Sequence, residues 1–156
     1  MKYHLTNKTK ISEKLINKLI EFSCPKGVDD FNIVMRYANN NSNSSEAISY
    51  TKLKIIEISV SNIESYPRLS SDKKLKRFGC TTSFVIKNKT ELLLAIMAHE
   101  LRHIWQINVS NQDFANGKLC PFTHCGIKYS TIYKMESDAC RYTKKILNKY
   151  RKSKNT

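Results

Sequence analysis

The stretch that most constrains this chain is 88–106, NKTELLLAIMAHELRHIWQ. Its apolar residues recur at helical spacing. On a wheel of about 100° per residue, Leu93, Leu94, Met97, Ala98, Leu101, Ile104, Trp105 and Ile107 cover most of the circumference. Only Glu91, His99, Arg102, His103 and Gln106 form a narrow polar strip. A helix apolar over most of its surface has to be buried. Asn88 is placed to cap it, with Glu91 three residues on, an Asn form of the capping box. Whatever else the chain builds, it must wrap this helix.

The polar strip carries chemistry. His99-Glu100-Leu101-Arg102-His103 is an H-E-x-x-H pattern. At about 3.6 residues per turn, the two histidines fall one turn apart on one face and can bind one zinc ion. Glu100 lies beside them, placed to take the proton of a water that the metal activates. Two core histidines bonded to carbonyls would be the bland alternative, and the buried context favours the metal.

A three-ligand site needs a partner from elsewhere, and 129–150 reads as a second long helix with Ser130 or Thr131 as its cap. Ile132, Met135, Ala139, Ile146 and Tyr150 line one face of it. Glu136 projects within that face, and a carboxylate there must be paired or bound to metal. Asp138 projects toward Lys134, Arg141 and Lys145, with a solvated ion pair open to it. Glu136 is therefore the expected third ligand and Asp138 the alternative. Ala139 is small enough to let two helices approach.

These residues resemble the gluzincin group of zinc metallopeptidases. In that group two histidines of H-E-x-x-H and a glutamate from a later helix hold the metal. The matching residues here are His99, Glu100, His103 and the run Glu136-Ser137-Asp138-Ala139. The element order resembles single-domain minigluzincins, and HELRHIWQ with a later E-x-D-A is similar to small metallopeptidase-like proteins of phages and mobile elements. The resemblance spans about 79–150. It implies a small zincin-like α+β domain, a zinc metalloendopeptidase with one catalytic Zn2+, and a protein or peptide substrate. The longer metzincin motif is absent, since Gln106 and Val109 stand at its later positions. A further group must stabilise the oxyanion, and His124, Tyr129, Tyr133 and Tyr142 are candidates by position.

Around this pair the chain reads as one domain over 1–156, with a basic tail from about 151 to 156 expected to be flexible. The fold class expected is α+β: an N-terminal helix over 10–23, strands at 31–37, within 50–60 and at 79–87, then the two site helices. The strand segment 81–86 could pair with an extended peptide at a sheet edge. Segment 39–45, NNNSNSS, reads as a loop, and 62–77 as a polar connection or short helix. A long loop over 108–128 contains Cys120, His124 and Cys125, a weak candidate for a second, structural metal.

With a formal charge of +14 the chain invites an anionic partner. The basic runs 73–77 and 144–154 would carry a weak nucleic-acid association. A zinc-stabilised nucleic-acid-binding module without proteolysis, and a latent peptidase awaiting release, are the rival functional readings. No apolar run reaches membrane-spanning length, and the N-terminus lacks a signal-peptide core. Five cysteines without a scaffold pattern fit a reducing compartment, so a cytoplasmic location is expected.

Overall fold

Alternating apolar and polar residues build the floor of the molecule. The computed structural model describes residues 1–38, 45–61, 85–110 and 129–154, apart from the side chains of 129–133. Strands β1 (Tyr3–Asn7), β2 (Phe31–Tyr37), β3 (Glu46–Tyr50) and β4 (Ile55–Val60) form one sheet in the order β1-β2-β4-β3. β1, β2 and β4 run parallel, and β3 pairs antiparallel with β4. Phe31, Ile33 and Met35 of β2 and Ile56 and Ile58 of β4 are fully buried, whereas Asn32 and Arg36 of β2 face out. This period of two means that one face of the sheet is core.

Helix α1 (Glu13–Ser23) is the crossover between the parallel strands β1 and β2. It buries Ile16, Leu19 and Ile20 and leaves Glu13, Lys14, Lys18 and Glu21 exposed. Its end is shaped by Cys24, whose N–H donates to Ile20 O, and by Pro25. Gly27 then turns at φ +91°, and a Cβ there would meet Val109 Cγ1 at 2.9 Å. The turn thus needs glycine for both conformation and close approach.

Helix α2 (Lys89–Asn108) is the core of the domain. Every residue from Glu91 to Ala98 is buried, as are Leu101, His103, Ile104 and Gln106. It packs on α1 and the sheet on one side and on helix α3 (Tyr129–Lys152) on the other. Asn88 caps it, Oδ1 accepting from Glu91 N–H at 2.9 Å. The reciprocal half of the box is shifted by one residue, because the Glu91 carboxylate accepts from Lys87 N–H at 2.9 Å. That carboxylate also accepts a two-pronged pair from Arg151, Nε at 3.0 Å and Nη2 at 2.7 Å. Arg151, at the start of the expected basic tail, is therefore the pin that fastens the end of α3 to the start of α2.

The α+β class agrees with the sequence reading, but the sheet differs from it. Among the described residues there are four strands, where about three were expected. β1, YHLTN, is short and half polar, and it is held by pairing with β2 rather than by its own apolar content. β3 is a second short strand, made by a hairpin whose turn at 51–54 places Lys54 at φ +53°. The expected strand at 79–87 is not borne out where it can be seen. Val85, Ile86 and Lys87 are non-strand, and 79–84 lies outside the described residues, as do most of 39–45, all of 62–77 and 111–128. No helix among the described residues is long and apolar enough to cross a membrane. Cys24 is a free thiol and Cys140 is disulfide-bonded.

The Glu91–Arg151 pair generates a stability prediction. Glu91 is 3% exposed, and Arg151 holds its carboxyl below the usual range. A depressed carboxyl adds stability above its unfolded value of about 4.3, and loses it as pH falls through the folded value. Arg151→Met should cost about 3 kcal/mol at pH 7, because it strands a buried carboxylate. In urea melts the gap to wild type should narrow as pH drops below about 4. A gap independent of pH would mean that Arg151 acts through packing alone.

Candidate metal centre

The polar strip of α2 meets α3 at one place. His99 and His103 stand one turn apart with ring centroids 4.7 Å apart and planes near perpendicular. From α3, the Glu136 carboxylate reaches both rings. Its Oε2 is 3.2 Å from His99 Nε2 and its Oε1 is 3.3 Å from His103 Nε2. The two Nε2 atoms are 3.1 Å apart. The ligand atoms of all three residues lie within 4.8 Å of one another, a group that could hold a metal ion. The fit can be tested on these spacings. In a tetrahedral site with bonds of about 2.0–2.1 Å, neighbouring donors are roughly 3.3 Å apart. The two imidazole nitrogens are close to that spacing, and each has one of the two Glu136 oxygens at a similar distance.

The electrostatics suit a cation. Burial pushes the Glu136 carboxyl up, but hydrogen bonds and charge from His103 and His99 overcome it and hold it well below the usual carboxylate range. For His103, burial is the largest influence and disfavours the imidazolium. The hydrogen bond and charge of Glu136, with the charge of Glu100, outweigh it and raise the ring to about 9. A proton thus occupies the space that a metal would compete for, and metal uptake would release it.

The orientation of His103 is set by a relay. Gln106, fully buried, offers Oε1 to His103 Nδ1 at 2.9 Å. Its Nε2 donates to Met135 O and to Asp138 Oδ2, both at 2.9 Å. Two acceptors on that side identify it as the NH2 end, so Oε1 must face the histidine. Nδ1 of His103 then carries the proton of this bond, and Nε2 is the atom turned to the centre. Asp138 in turn accepts from Arg102, Nε at 2.7 Å and Nη2 at 3.3 Å. Arg102 lies 3.7 Å over the Trp105 ring and 5.1 Å from that of Tyr142.

Of the residues expected at the site, His99, His103 and Glu136 come together, and Glu100 sits beside them, half-buried and without a hydrogen bond among the described residues. Asp138, the alternative ligand, is not in the cluster, nor is it the solvated ion-pair partner of Lys134 or Arg141. It turns inward to Arg102 and Gln106. Tyr142, offered as an oxyanion stabiliser, donates its hydroxyl to Ser23 O at 2.9 Å, and burial pushes its phenol up to about 12. It braces α3 against α1. The side chains of Tyr129 and Tyr133, with Cys120, His124 and Cys125, lie outside the described residues. The sequence reading gave no role to Gln106 or Arg102. The signal was there, since both belong to the polar strip of a helix with no solvent to satisfy them.

The relay predicts that Gln106→Ala leaves the fold intact but weakens metal affinity by about 10–100-fold. Asp138→Asn should weaken it less, because its amide can still accept from Gln106. Competition titration against a chelating dye reads both, and unchanged affinity in Gln106→Ala would reduce the relay to helix packing. No family model matches the chain, and no curated protein and no solved structure match it.

Proposed function

We propose that the chain is a zinc metallopeptidase, with His99, His103 and Glu136 as the protein ligands and Glu100 as general base. The observation that carries this is the donor cluster itself: two neutral-capable nitrogens and a carboxylate, with one ligand atom from each residue within 4.8 Å of the others. Two histidines and a glutamate are a donor set that suits zinc and leaves a fourth position open. Zinc bound there supplies Lewis acidity toward a water and a scissile carbonyl oxygen.

The chain's own residues then divide the work. Glu136 offsets the cation's charge and His99 and His103 fix its position, with Gln106 holding the His103 ring in place. Glu100 accepts the proton of the attacking water on its carboxylate and returns it to the leaving amine nitrogen. Its freedom from any hydrogen bond among the described residues leaves both oxygens available for this. An extended peptide has a place to add at β3, one of the two outer strands of the described sheet, which packs on α2 and exposes Ile48 and Tyr50. Segment 81–86, the edge expected from the sequence, lies outside the described residues except for Val85 and Ile86.

Metal analysis and a peptide-library cleavage assay test the proposal together. Wild type should carry one zinc, and His103→Ala and Glu136→Ala should carry none. Glu100→Gln should keep the zinc and lose at least 10²-fold in kcat, the ordinary contribution of a general base. One retained zinc with no cleavage by wild type of any peptide would favour a structural metal, and zinc retained in Glu136→Ala would remove the third ligand.

A further inference from the structure

The acidic and basic residues of α3 are sorted onto opposite faces. Its two acidic residues, Glu136 and Asp138, both turn inward to the groups on α2. Its exposed face carries Lys134, Arg141, Lys144, Lys145 and Lys149 and no acidic residue. Among the described residues none of these five is in an ion pair. Elsewhere on the surface the two signs mix, as on α1 with Glu13, Lys14, Lys18 and Glu21. Arg141, Lys145 and Lys149 follow one another at i, i+4, so each neighbouring pair repels. Like charges at this spacing cost about 0.2–0.5 kcal/mol per pair. A face meant only for solvent would alternate the signs and gain from the same geometry.

We infer that this outer face of α3 is a docking surface for the phosphodiester backbone of nucleic acid. The charge ladder runs about 22 Å from Lys134 to Lys149 at 1.5 Å per residue, a length that spans many phosphates of a duplex at about 1.7 Å per charge. Five cations over that length complement a regular line of single negative charges. An anionic membrane surface fits less well, because an interfacial helix needs an apolar face to bury in lipid. The apolar residues of α3, Ala139, Ile146 and Leu147, are packed inside the domain. The contact is sequence-independent, since lysines on phosphates position without reading bases. It lies on the back of the helix that brings Glu136 to the metal centre, so the ligand residues stay clear of it.

The test is the salt dependence of binding to a fluorescein-labelled 20-base-pair duplex, read by anisotropy between 50 and 200 mM salt. Each phosphate contact contributes about 0.9 to the slope of log K against log salt. The variant Lys134→Gln/Arg141→Gln/Lys145→Gln should lower the slope by nearly 3. A control of equal charge change, Lys8→Gln/Lys14→Gln/Lys18→Gln, should lower it by less than 1. If a triple variant melts early, Lys145→Gln alone, with a fall of about 1, carries the test. Equal loss in the two triple variants would reduce the effect to net charge and overturn the inference. So would absence of duplex binding by wild type at 50 mM salt. Binding to phosphatidylserine vesicles that outcompetes the duplex and is lost in the α3 variant would assign the face to a membrane instead.

Discussion

A carboxylate carried into a protein interior must find a cation or a full set of donors, and the packing of α3 on α2 is arranged around that requirement. Glu136 lies on the inner face of α3, among residues that pack in the core. The groups that meet it are the two imidazoles of α2. Because His99 and His103 repeat at one helical turn, one carboxylate can bridge both. The geometry that satisfies the buried charge is also one that converges three donor atoms on a point.

The same rule operates twice more along this helix pair. Asp138 is met by Arg102 and Gln106, and Glu91 by Arg151. Residues early in α2 pair with residues late in α3, and the reverse, so the helices run antiparallel with charged pins along their contact. Apolar packing alone tolerates sliding by a turn, whereas a buried ion pair does not, because a slip would leave a charge unpaired. The pins give the two helices a register, and that register brings Glu136 level with the histidines. The sheet and α1 supply the apolar wall against which α2 is pressed.

Satisfying the inner charges leaves α3 with an asymmetric outside. The charges that neutralise its carboxylates come from α2, so Lys134, Arg141, Lys144, Lys145 and Lys149 are left to the surface with no ion pair among the described residues. Arg151 is drawn inward, by Glu91. The helix that completes the centre on one side is for that reason strongly cationic on the other.

Much of this was legible in the chain. The burial of α2, its Asn88 cap, the facing of His99 and His103, and the choice of Glu136 over Asp138 follow from helical periodicity and the cost of burying a charge. Those are local rules that read directly from residue order. Strand β2 was legible for the same reason, being a clean alternation. Tertiary structure alone decided the rest. β1 and β3 exist because neighbours accept their hydrogen bonds, and short half-polar segments carry little periodic signal. Residues 85–87, apolar and β-branched in part, are not strand, and no ladder among the described residues holds them. The inward turn of Asp138, the Gln106 relay, the Tyr142 brace and the Glu91–Arg151 pin each join residues 29 or more apart in sequence. Which polar group satisfies which is a matter of distance across an interface, and no spacing within one helix determines it.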